Sequence, residues 1–192
     1  MLYLLTLSIL LSLTRAPEQP VVPAATVCLS PEEQKLYDLI MAYRRSKKLP
    51  VIPLSAKLTM VAQAHTRDLT SNFVDDTPEG CNTHSWSDKG SWTPCCYTPD
   101  HKQAACMWNK PREIAGYQSN GFEIAYWSSA GANAVEALDG WKSSPGHHAV
   151  IINDDIWKSV QWKAEGISVY AINCMVLCGK LADDERPGRC NN

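Results

Sequence analysis

Five histidines and eight cysteines are the residues of this 192-residue chain best equipped for chemistry, and their spacing sorts them. Ser144 precedes His147 by three positions in SSPGHH, an order in which an imidazole could take a proton from a hydroxyl nucleophile. Against that, Ser-Pro-Gly is ordinary helix-stop chemistry and no oxyanion donor is identifiable, so this is the weaker reading. Cys95, Cys96 and Cys106 surround His101, a mixture able to ligate zinc, yet the spacing matches no standard zinc pattern. Disulfides are the stronger reading for a secreted chain, and the even cysteine count allows up to four of them. Sequence does not choose the pairing. Adjacent Cys95 and Cys96 are expected to bond to different partners, because bridging neighbours strains the backbone. Cys174 and Cys178 project from one face if a single strand holds both. His65 falls on an apolar helix stripe, where a hydrogen-bonded core role is favoured over a ligand role.

The elements that must position these residues begin after a leader. Leu2 to Leu13 form an apolar run of signal-peptide length, followed by small residues near Ala16, so residues 1–16 read as a signal peptide. Cleavage after Ala24 or Ala25 is equally compatible. The run is too short to span a bilayer, and no transmembrane anchor is expected. Pro17, Pro20 and Pro23 mark 17–27 as a linker, 28–181 as the folded domain and 182–192 as a polar tail held by Cys190. Eighteen Lys and Arg against 20 Asp and Glu give a net charge of −2, which argues against a general nucleic-acid binder. The basic run Arg44 to Lys48 reads as a solvated helix end, where cations complement the helix dipole.

Ser30, Pro31 and Glu33 form a helix start, and Leu36, Leu39, Ile40 and Tyr43 give that helix an apolar face. A second helix starts at Ser55 with Leu58, Val61, Ala62, His65 and Leu69 on one stripe. From Ser71 to Arg112 the pattern dissolves into a long loop that needs cross-links or a function to hold it. Tyr117 to Trp127 reads as a strand, Ala134 to Trp141 as a third helix closed by Pro145 and Gly146, and Trp162 to Lys180 as two strands around Asn173. Trp86, Trp92 and Trp108 sit in the loop, where packing beneath it is the simpler role and a lipid- or ligand-binding surface the alternative.

Four stretches in order carry a resemblance: LYDLIMAYRR with LTMVAQAHTRDL, CNTHSW, GFEIA, and GWKSSPGHHAVIIN followed by WKAEGISVY. Together they resemble the CAP superfamily of cysteine-rich secretory, antigen five and pathogenesis-related proteins, in a minimal single-domain form with a Trp- and Cys-rich insert. The resemblance implies an α+β fold, a three-layer α-β-α sandwich around a small antiparallel sheet, with a cleft gathering two histidines and two acids. Carried over by position, His84 and His147 match the cleft histidines and Glu123 matches the first glutamate, while Ser144 stands where the second glutamate would be. Two imidazoles and a carboxylate suit a divalent cation such as zinc, with His84 and His147 as ligands. Loss of the second acid implies that any such cation is held weakly. His148 is expected on the opposite face of an extended segment from His147. The resemblance implies an extracellular, non-catalytic binding module for a sterol, another lipid or an extracellular protein. A metal-assisted hydrolase with Glu123 as general base is the alternative.

Overall fold

The computed structural model describes residues 27–73 and 80–190. The expected signal peptide and nearly all of the expected linker lie outside the described residues. Element order is β1 (Cys28–Leu29), α1 (Pro31–Ser46), α2 (Ala56–Asn72), α3 (Ala104–Ala115), β2 (Gly121–Trp127), α4 (Ala134–Ser143), α5 (Pro145–Ile152), a 3-10 turn (Asp155–Trp157), β3 (Ala164–Tyr170), β4 (Asn173–Gly179) and β5 (Gly188–Arg189). No helix among the described residues is long and apolar enough to cross a membrane.

Both opening helices start as their sequences dictate. At α1 the Ser30 hydroxyl accepts from the Glu33 amide at 3.2 Å while the Glu33 carboxylate accepts from the Ser30 amide at 2.7 Å, a reciprocal cap. At α2 the Ser55 hydroxyl accepts from the Leu58 amide at 3.0 Å and donates to Asp183 at 2.5 Å. Asp183 therefore places a carboxylate at the positive end of α2, a use of the polar tail that local sequence does not announce.

An antiparallel sheet of order β2-β4-β3 separates two layers, and side-chain alternation fills both. From β4, Cys174, Val176 and Cys178 enter one core with Leu36 and Ile40 of α1, Trp141 of α4 and Val150 of α5. Met175 and Leu177 enter the other, with Leu58, Val61 and Leu69 of α2 and Ala115 of α3. This is the expected α-β-α sandwich. Gly166 of β3 lies so close to the backbone of Leu58 and Thr59 that a Cβ would collide with it, so α2 can settle onto the sheet only over a glycine.

Three local readings are corrected. Arg44, expected in a solvated helix end, is buried instead, its guanidinium donating to the Pro50 and Ile151 carbonyls. Pro145 and Gly146 do not leave an extended segment behind them. The chain turns at Ser144 and starts α5, because proline fits the first helical turn, where its missing N–H costs nothing. His148 then leaves His147 by helical rotation and hydrogen-bonds the Tyr43 hydroxyl at 2.8 Å. Within the long loop, residues 104–115 form α3, which sequence periodicity did not separate because Pro111 interrupts its pattern.

Three disulfides tie the chain: Cys28–Cys190, Cys81–Cys96 and Cys95–Cys106. The vicinal cysteines bond to different partners, as expected. Cys174 and Cys178 share one face of β4, also as expected, but remain buried free thiols. Four positions of strand hold them roughly 13 Å apart along the backbone, well beyond bridging distance.

Candidate ligand-binding site

Glu123 occupies β2, an edge strand, and points to the α2 side because Phe122 and Ile124 on either side of it enter the α1 core. There it meets His65, one turn before the end of the apolar stripe of α2. His65 Nδ1 lies 2.9 Å from one carboxylate oxygen and His84 Nδ1 lies 2.6 Å from the other. His84 comes from the loop after α2, where its amide donates to the Asn82 side chain at 3.0 Å. Disulfide Cys81–Cys96 anchors that loop, and the Tyr97 amide donates to the Ser85 hydroxyl at 2.8 Å. The cross-links that the irregular segment required are thus those that place an imidazole.

The hydrogen-bond pattern fixes where the protons sit. Nε2 of His65 lies 2.8 Å from the Ser85 carbonyl oxygen, which only accepts, so that nitrogen carries a hydrogen. Burial by itself would raise the pKa of Glu123. The charge and hydrogen bonds of His65, together with those of His84, outweigh burial and hold the carboxyl at about 2. An ionised Glu123 accepts from both rings, and the His65 ring stacks on Trp86 with centroids 4.0 Å apart. His84 donates from Nδ1 to Glu123, and its Nε2 has no hydrogen-bond partner among the described residues.

His84, Glu123, Ser144 and His147, the four residues expected from sequence, line one cavity of about 420 Å³. His147 Nδ1 lies 2.9 Å from Ser144 Oγ within α5 and its cap. Burial lowers the His147 pKa, with His84 adding to the effect, so this ring is neutral at neutral pH. The rest of the lining is largely apolar: Met107, Trp108, Phe122, Ile124, Val150 and Trp157. Phe122 meets Trp108 at 5.8 Å and Trp157 at 5.1 Å, with the rings inclined at 53° and 68°. Ile156, 73% exposed, sits on the lining of the same cavity.

Sequence reasoning placed His65 in the core but did not connect it to Glu123. The only signal was a histidine on an apolar stripe, a buried polar ring in need of a partner. Tyr97 and Trp157 were not singled out, and nothing local marks them. His101 joins Tyr97, accepting or donating at 2.9 Å to its hydroxyl, while Cys95 and Cys106 around it are bonded to each other.

The donor set for a cation is short. Among the described residues no group of three His, Cys, Asp or Glu is arranged to hold a metal, and both oxygens of Glu123 are engaged by imidazoles. His84 and His147 are two donors where zinc ordinarily takes three or four from protein, so the residues do not fit a resident zinc.

No curated protein sequence matches the chain significantly. Solved structures do. An extracellular protein containing an SCP domain from Bacillus anthracis str. Ames aligns over 78% of this chain and 40% of its own, with TM-score 0.51 and 20% identity. An outer surface protein of Borrelia burgdorferi aligns over 78% of this chain and 92% of its own, with TM-score 0.50 and 17% identity. A cysteine-rich secretory protein from Staphylococcus aureus subsp. aureus Mu50 aligns over 78% and 39%, with TM-score 0.50 and 13% identity. The chain thus spans about two fifths of the first of these neighbours, and at these identities the likeness establishes the fold alone. The model of the cysteine-rich secretory protein family matches residues 37–158, more than half of the sequence, and the chain belongs to that family, the CAP superfamily.

Proposed function

We propose that this protein is a secreted, non-catalytic binding module whose ligand is a small amphipathic lipid or sterol. One observation carries the reading: a single cavity of about 420 Å³ is lined both by polar side chains, among them His84, Ser144 and His147, and by the apolar side chains of Trp108, Phe122, Ile124, Val150 and Trp157. That volume lies in the ordinary range for small-molecule sites, which are mostly apolar with a few oriented polar groups. The exposed Ile156 extends the apolar lining to solvent, as entry of a water-averse molecule requires. Three disulfides support the secreted part of the proposal.

The competing reading, a metal-assisted hydrolase, asks Glu123 to act as general base. Its two oxygens already accept from His65 and His84, and a carboxyl held at about 2 is a poor proton acceptor at neutral pH. Titration of the purified protein with fluorescent sterol and fatty-acid probes tests the proposal. Saturable binding that weakens when Trp157 is replaced by alanine supports it, and no saturable binding to any lipid class refutes it. Stoichiometric zinc that disappears when His84 and His147 are both replaced by alanine would favour the hydrolase.

A further inference from the structure

A second cavity, of about 320 Å³, lies where the last turns of α2 meet the ends of β2 and β4. Leu69, Trp127, Asn173 and Ile172 line it from the helix and the sheet, and Asn82 and Thr83 from the loop. It shares none of its described lining residues with the histidine cleft. Strand alternation puts Trp127 there: Glu123, Ala125 and Trp127 face the α2 side, and Trp127 pairs in register with Asn173. Of the seven tryptophans it alone is exposed, at 52%. Asn173 beside it is 3% exposed, yet only its Nδ2 is engaged, donating to the Thr70 hydroxyl at 3.0 Å. Its carbonyl oxygen has no partner among the described residues. Turning the amide over would exchange the two atoms and still leave one of them for a ligand.

On the loop side, the Asn82 oxygen accepts from the His84 amide at 3.0 Å, which leaves the Asn82 NH₂ group to donate. The Thr83 hydroxyl is likewise without a partner among the described residues, and the Cys81–Cys96 disulfide holds both residues in place. The cavity thus offers two amides and a hydroxyl beside a half-exposed indole, and no Asp, Glu, Lys, Arg or His is among its described lining residues. A hydrocarbon chain would cover the indole but strand the Asn173 amide without a hydrogen bond. A sugar ring meets both demands, because its C–H face packs on an aromatic ring while each hydroxyl both donates and accepts. The volume stands at the small end of the range for small-molecule sites, about 300–1,000 Å³, and suits one ring of a glycan.

We infer that this cavity is a carbohydrate subsite that holds one neutral pyranose ring against Trp127, with ring hydroxyls bonded to Asn173, Asn82 and Thr83. The inference is independent of the lipid-binding reading. Rings whose hydroxyls are all equatorial have the flattest C–H faces, so gluco-configured sugars fit best.

Cellotriose and tri-N-acetylchitotriose are the probes, followed by saturation-transfer NMR with the full chain. Saturable binding of at least one is expected, weakened about tenfold by Trp127→Ala and largely restored by Trp127→Phe, which keeps an aromatic face. A urea midpoint measured on each variant shows that it is folded. Thr83→Ala, at an exposed hydroxyl, should weaken binding about threefold, as loss of one solvent-accessible hydrogen bond does. No saturable binding of either trisaccharide overturns the inference, and so does binding that folded Trp127→Ala leaves within about twofold. Should Trp127→Ala not fold, unchanged affinity in Thr83→Ala overturns it. Tetra-alanine offers peptide groups without hydroxyls and should not bind. Tetra-alanine binding that Trp127→Ala abolishes would make this a peptide site and overturn the inference.

Discussion

Glu165 offers the sharpest test of the packing described above. It sits on β3 with no exposed surface, and neither of its carboxyl oxygens has a hydrogen-bond partner. Burial pushes its pKa from the ordinary 4.5 up to about 8, and the nearby Arg44 guanidinium, committed to the carbonyls of Pro50 and Ile151 and to Asn153, offsets only part of that rise. The folded state therefore holds a proton that the unfolded chain releases, so stability falls as pH rises from about 4.5 to about 8. At pH 7 the gap from the unfolded value is about 2.5 pH units, or roughly 3.4 kcal/mol at about 1.36 kcal/mol per unit. Glu165→Gln keeps the shape and removes the ionisation. Urea unfolding at pH 5, 6, 7 and 8 should show the variant gaining on the native protein by up to about 1.4 kcal/mol per pH unit, reaching roughly 3 kcal/mol at pH 7. Every other titrating group is common to both proteins, so the difference isolates this one. Parallel pH profiles for the two would refute the assignment of a buried, unpaired acid.

Glu123 should behave in the opposite sense. Its folded pKa of about 2 lies below the ordinary 4.5, so it contributes roughly 3.4 kcal/mol above pH 4.5 that is lost as pH falls towards 2, and Glu123→Gln should flatten the acid limb of the stability profile. Replacing His65 by alanine leaves a Glu123 oxygen buried without its partner and should cost about 3–5 kcal/mol in urea unfolding, whereas Lys48→Ala at the exposed end beyond α1 should cost almost nothing. Serine at both Cys28 and Cys190 removes the bridge closing the longest loop and should cost about 2–5 kcal/mol, with proteolysis of the native-state tail beginning beyond Arg186, past the anchored Asp183. Cys174, its thiol pushed up to about 12 by burial and by Glu32 and Glu136, should not react with a thiol reagent in the native protein. Two thiols, Cys174 and Cys178, should react after unfolding without reductant.

Much of the architecture was written locally. The Ser30–Glu33 cap, the apolar stripes of α1 and α2 and the existence of the final strand pair follow from short-range patterns, because capping and periodicity act within a few residues, although the pair turns at residues 171 and 172 and not at Asn173. The four cleft residues were legible only as an ordered set of motifs. Helix α3 and the start of α5 were not separable from the surrounding irregular sequence, since proline at 111 and at 145 reads locally as a stop, whereas the fold uses the second as a start.

The sequence by itself determined which side chains could act: the imidazoles at 84 and 147, the acid at 123, the serine at 144 and the cysteines that hold the loop. Tertiary structure alone decided their state. His65 lies 58 positions from Glu123 and Ser85 lies 20 from His65, and only the packing of α2 against the sheet joins them into one hydrogen-bonded chain. Protonation follows from that chain, because a buried nitrogen must donate where its neighbour can only accept. No periodicity in a sequence records a contact between elements so far apart.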